Sequence, residues 1–291
     1  MNNDKNHQNI NLRQLYIGYF LYSISIKVLA LPSMLAKGTG NWAWLSATLG
    51  VVFEICLVIV ASLILKTTNN NHRFFRGLCW LLIPVIIFEI ILTAVQILNL
   101  AYTDLFTNLG ITVFVITLIA LGLFFLTRQP RAVFRAGEIL LLFFSFTLIL
   151  AIVPTLYQIK IDWHNLFQGN SNQILPTIII NLGFFETATF VLAFGSETKK
   201  TNRELMRLNL TALLCGVGYA VFMILFVLLF GSLAQHQTMG LIDMTTAAQF
   251  ITNNGSMDWL IATAILSVLV LRFGVQLVAM VTLIKRGLNR Q

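Results

Sequence analysis

Eight apolar runs, at residues 12–36, 42–65, 78–101, 109–127, 137–157, 174–195, 208–233 and 258–284, decide what this chain can fold into. Each approaches or exceeds the roughly 20 residues that a helix needs to cross a hydrocarbon core. Within lipid such a run must satisfy its own backbone N–H and C=O groups. A helix does so internally, whereas barrel strands would be about half as long and would alternate in polarity. The expected fold class is therefore all-α, a polytopic membrane helical bundle of about eight spans. A chain that is 57% hydrophobic and 10% charged leaves no stretch from which a soluble domain would be built. The expected organisation is a tail over 1–11, a transmembrane domain over 12–284 and a tail over 285–291. The first run follows a polar stretch containing Asp4 and Lys5 and lacks a small-residue cleavage site, so it is expected to stay in place as a helix, not to act as a cleaved signal.

Charge placement sets the expected orientation. If the N-terminus is cytoplasmic, the inner segments carry Lys5, Arg13, Lys66, Arg73, Arg76, Arg128, Arg131, Arg135, Lys199, Lys200, Arg203, Arg207, Lys285, Arg286 and Arg290. The outer segments carry Lys37 and Lys160. Fifteen cations against two is a strong positive-inside signal, with both termini cytoplasmic in a multi-pass cell-membrane protein. The same bias explains the net charge of +8 without invoking nucleic acid.

Several classes of chemistry have no residues to perform them. Cys56, Cys79 and Cys215 fall in or beside apolar runs without paired spacing, and His7, His72, His164 and His236 lie in separate segments, so neither a disulfide framework nor a metal site is expected. No metalloprotease, paired-aspartate or nucleophile–base motif is present, and no cofactor is called for; the chain is not expected to be an enzyme. No filter-like repeat favours an ion channel. The segment Leu241–Phe250 has weak amphipathic spacing, which predicts a short interfacial helix on the outer face.

The informative residues are the polar ones inside the runs. Lys27 sits near the middle of the first, five residues before Pro32, whose missing N–H leaves a carbonyl near Val28 unpaired. Ser23 to Ala30 are expected to unwind there, exposing backbone groups to a cavity. The plainer alternative is a snorkelling lysine on a straight helix. In the sixth run Gly183 offers backbone freedom, and Asn181, Glu186, Thr187 and Thr189 make the segment unusually polar for lipid. Burying a charge at mid-membrane costs roughly 2.5–3.5 kcal/mol on insertion scales, so Lys27 and Glu186 are candidates for a site and for each other. Their pairing is either structural or a coupling element that exchanges a proton.

Glu54 lies on a small-residue face with Ala47, Gly50 and Ala61, which suits close helix packing. Glu89, Thr93, Gln96 and Leu100 share one face of the third run. Arg272 and Gln276 lie one turn apart in the eighth, and Arg272 needs an anion, for which Glu89 or Glu54 is the candidate. Packing is the preferred role for these three helices.

Certain stretches match a known pattern. Leu12–Tyr16, Leu29–Gly38, Asn41–Ser46, Arg135–Ile139, Phe185–Thr187 and Phe194–Gly195 resemble the spore-germinant receptor B-subunit permeases of the amino acid/polyamine/organocation superfamily, over residues 10 to 210. The resemblance implies a LeuT-like core of two inverted five-helix repeats, with solute held between discontinuous first and sixth helices. This chain departs from the pattern at Ser25 and Lys27, where the family has glycines, and eight runs would leave the second repeat two helices short. The implied function is proton-coupled transport of an amino acid or similar amine by alternating access. The alternative is a non-transporting sensor that signals to other germinant-receptor subunits. The implied solute-binding residues are Ser23, Ser25, Ile26, Lys27, Ala30, Asn181, Gly183, Phe184, Phe185, Glu186 and Thr187, with Lys27, Glu186, Glu89 and Arg272 as coupling or ion-pairing residues.

Overall fold

A computed structural model describes residues 11–67, 72–105, 110–159, 165–167, 169–184, 187–195, 202–247 and 256–288. Regular structure among the described residues is helical throughout, in the order α1 (Leu12–Leu29), α2 (Leu31–Thr39), α3 (Ala43–Thr67), α4 (His72–Leu100), α5 (Ile111–Leu126), α6 (Pro130–Gln158), α7 (Ile174–Ile180), α8 (Ala188–Phe194), α9 (Asn202–Phe230), α10 (Gly240–Ala247) and α11 (Ser256–Gly287). Helix falls on each of the eight apolar runs. Five helical stretches among the described residues are long and apolar enough to cross a membrane: Leu31–Lys66, Phe75–Leu100, Pro130–Tyr157, Glu204–His236 and Trp259–Gly287. The other three runs differ for identifiable reasons. Arg13 and Lys27 lower the hydropathy of α1, α5 is apolar but has only 16 residues, and the sixth run is divided between α7 and α8.

The expected unwinding of Ser23 to Ala30 does not occur. α1 stays helical through Leu29 and yields only at Ala30, whose N–H still donates to Ile26 O. Pro32 explains this, because it lies in the first turn of α2, where an N–H has no helical partner to lose and the fixed φ suits a helix start. The first run is thus a kinked rod. α10 fits against the kink, with Gly240 so close that a Cβ there would stand 2.8 Å from Val28 O and 2.7 Å from Pro32 Cγ. Asp243 fastens the start of this helix by accepting from the N–H groups of Thr238 (2.8 Å) and Met239 (2.6 Å). The predicted short helix therefore exists, but it buries Leu241, Ile242 and Met244 against protein, packing on α6, α11, α1 and α2. Residues 248–250 of that expectation lie outside the described residues.

The sixth run is broken, as its polarity suggested. α7 ends at Asn181, Leu182–Phe184 form a tight 3-10 turn, and α8 begins after Thr187. Asn181 closes α7 locally, its side-chain amide donating to Thr177 O at 2.8 Å. The two halves have different neighbours. α7 lies on α2 and α3, with Thr177 pressed against Gly38, whereas α8 lies on α3, α4 and α11. Arg286 of α11 donates to the carbonyls of Leu192 (3.3 Å) and Ala193 (2.7 Å) in the last turn of α8.

α11 is the axis of the molecule, enclosed by α4, α6, α1 and α5. α3 packs on α9, where Gly216 admits the Val51 side chain; a Cβ there would lie 2.4 Å from Val51 Cγ1. The perimeter is apolar, with Leu81, Ile91, Ile116, Leu123, Leu142 and Leu214 exposed on α4, α5, α6 and α9. The interior, by contrast, holds the charges of Lys27, Glu54, Glu89 and Arg272.

Candidate functional site

α1 brings three polar residues to one stripe by helical recurrence, Tyr19, Ser23 and Lys27, each four residues from the next. All three are buried. Lys27 Nζ reaches across to α3 and contacts both oxygens of Glu54, at 2.6 Å to Oε1 and 2.5 Å to Oε2, while donating to Ser23 Oγ at 2.8 Å. Lys27 is 1% exposed and Glu54 3%. A buried cation and anion at this range offset much of each other's desolvation, and further hydrogen bonds are needed to satisfy what remains. Thr187, at the entrance to α8, supplies one by donating to Glu54 Oε1 at 2.7 Å. A threonine hydroxyl has a single proton, so the 2.9 Å contact between Tyr19 OH and Thr187 Oγ1 has Tyr19 as its donor. One carboxylate thereby ties α1, α3 and the broken sixth run together.

A second network lies alongside. Glu89 of α4 accepts a hydrogen bond from Tyr22 OH on one oxygen and from Thr189 Oγ1 of α8 at 2.9 Å on the other. Arg272 of α11 donates through Nη1 to the Tyr22 carbonyl and lays its guanidinium over the Tyr22 ring, 4.3 Å from the centroid. Beneath both networks Tyr19, Tyr22, Phe134, Phe190 and Phe194 form a cluster of tilted and edge-to-face rings spanning α1, α6 and α8. Gly18 gives Phe134 its place, since a Cβ there would lie 2.3 Å from the ring.

The expected site residues divide accordingly. Lys27, Ser23, Thr187, Glu89 and Arg272 belong to these networks. Ser25 is buried on α1 and its hydroxyl points at Tyr22 O, 3.4 Å away. Ile26 and Ala30 are buried in helix and kink, so neither offers a freed backbone group as expected. Asn181 caps α7, Gly183 is closely covered by Phe88 and Phe184 is buried. Phe185 and Glu186 lie outside the described residues.

The expected partner of Lys27, Glu186, lies outside the described residues, and the expected partner of Arg272 differs. Among the described residues the carboxylate paired with Lys27 is Glu54, because α3 is the helix whose acidic residue faces the polar stripe of α1. Arg272 pairs with neither Glu54 nor Glu89. Lys27 occupies the first and hydroxyl donors the second, leaving the guanidinium with a backbone carbonyl and an aromatic face.

Sequence reasoning gave Glu54 to packing and passed over Tyr19 and Tyr22. The signal that would have recovered Tyr19 is the recurrence with Ser23 and Lys27, and Glu54 is the sole acidic residue of α3. No protein-family model and no curated protein matches the chain.

Proposed function

We propose that the chain is a permease-like membrane protein that moves a small polar solute, an amino acid or similar amine, by alternating access with proton coupling. The bundle lies in the membrane with both termini cytoplasmic. The observation that carries the reading is the Lys27–Glu54 pair, buried in the core and hydrogen-bonded to Thr187 at the edge of a broken helix. Enclosed ionisable groups beside discontinuous helices are where transporters hold solutes and coupling ions. Protonation of Glu54 would discharge its attraction for Lys27 and weaken its hold on Thr187, so proton uptake and release of the α8 end become one event.

Purified protein in liposomes tests the proposal. An imposed pH gradient should drive uptake of at least one member of a panel of amino acids and amines, and Glu54→Gln should uncouple that uptake from the gradient. Absence of solute flux across the panel would overturn transport. The sensor reading is favoured by one feature, the unbroken helix through Leu29, which fixes Lys27 in a closed pair. Binding without flux is its signature.

A further inference from the structure

We propose that Arg272 and Gln276 form the recognition point for the carboxylate of an α-amino acid, an assignment that rests on the solute-binding reading above and names its substrate class. Arg272 is 3% exposed and Gln276 1%. They lie one turn apart, on the same face of the central helix α11. The ion pairs among the described residues, Arg13–Glu138 and Lys27–Glu54, do not include Arg272. Its Nη1 is used on the Tyr22 carbonyl and its Nε has no hydrogen-bond partner among the described residues; neither has Gln276 Nε2 or Gln276 Oε1.

Such groups are costly to bury. A guanidinium stays charged, and an unpaired buried amide forfeits its hydration without replacement. The unpartnered atoms make a coherent set: two N–H donors, one carrying positive charge, and one carbonyl acceptor. A carboxylate accepts from Arg272 Nε and Gln276 Nε2, and the ammonium on the adjacent carbon donates to Gln276 Oε1. Stacking on Tyr22 and the bond to its carbonyl hold the guanidinium plane still, which lowers the ordering cost when the ligand arrives. Lys27, the other buried cation among the described residues, is paired with Glu54.

The test uses full-length protein in nanodiscs and liposomes, with the common α-amino acids each compared against its carboxamide and its decarboxylated amine. At least one amino acid should bind, measured by calorimetry, while its carboxamide and amine bind about tenfold more weakly or worse. Arg272→Lys, checked for monodispersity, should weaken the acid about tenfold and leave the amine unchanged, whereas Gln276→Met, which loses a contact to each group, should weaken both. Carboxamides or amines that bind or cross as well as the acids would overturn the assignment and leave transport standing. Acids that bind without flux would uphold the assignment and overturn transport. No binding and no flux for any member would overturn both. The paired ligands need no variant, so a misfolded mutant does not decide the outcome.

Discussion

At the scale of single residues, the interior of this protein is governed by which polar atoms have partners. Lys27 and Glu54 satisfy each other, so removing either strands the other in a medium that solvates ions poorly. Lys27→Met and Glu54→Leu should each destabilise the protein by about 3–5 kcal/mol, whereas the double variant should recover most of the loss, because an apolar pair of similar volume needs no solvation. Thermal unfolding of the detergent-solubilised variants measures this. A double variant no more stable than the singles would mean that Glu54 owes its stability to Thr187 instead. Gly240 is the other sensitive residue. Adding a methyl group forces α10 away from Val28 O and Pro32, so Gly240→Ala should cost about 1–3 kcal/mol by overpacking, read as a lowered Tm.

At the scale of elements, discontinuity has two forms here, and the sequence announced only one of them correctly. Proline in the first run suggested an unwound stretch, but a proline in the opening turn of the next helix interrupts little, and the result is a kink at Ala30. Glycine and clustered polar residues in the sixth run did predict a true break between α7 and α8. That Glu54 faces Lys27 was not legible, because pairing across helices depends on the rotation of α3 about its axis, and a helix that is apolar nearly all round reveals little of that rotation. The second half of the sixth run, α8, depends on Arg286 for two carbonyl contacts. Arg286→Ala should raise hydrogen exchange across α8 relative to α7, measured by mass spectrometry. Equal exchange in the two halves would show that helix packing alone holds α8.

At the scale of the whole molecule, the positions of the helices were legible, because long apolar runs admit few structures in lipid, and helix falls on each of the eight runs. Orientation is the larger prediction. In a variant lacking Cys56, Cys79 and Cys215, a cysteine introduced at Asn170 should react with a membrane-impermeant thiol reagent added to intact cells. One introduced at Gln129 should react only after permeabilisation. The reverse pattern would invert the topology. The hydroxyls beside Glu54 have a wider consequence. Tyr19 gives its hydrogen to Thr187, which gives its own to Glu54, so the row points one way while the carboxylate is ionised. A neutral Glu54 becomes a donor in its turn, and the arrow can reverse along the row as far as Tyr19, whose ring abuts Phe190. A hydrogen gained at α3 would thereby be registered two side chains away, in the aromatic layer that joins α1 to α8.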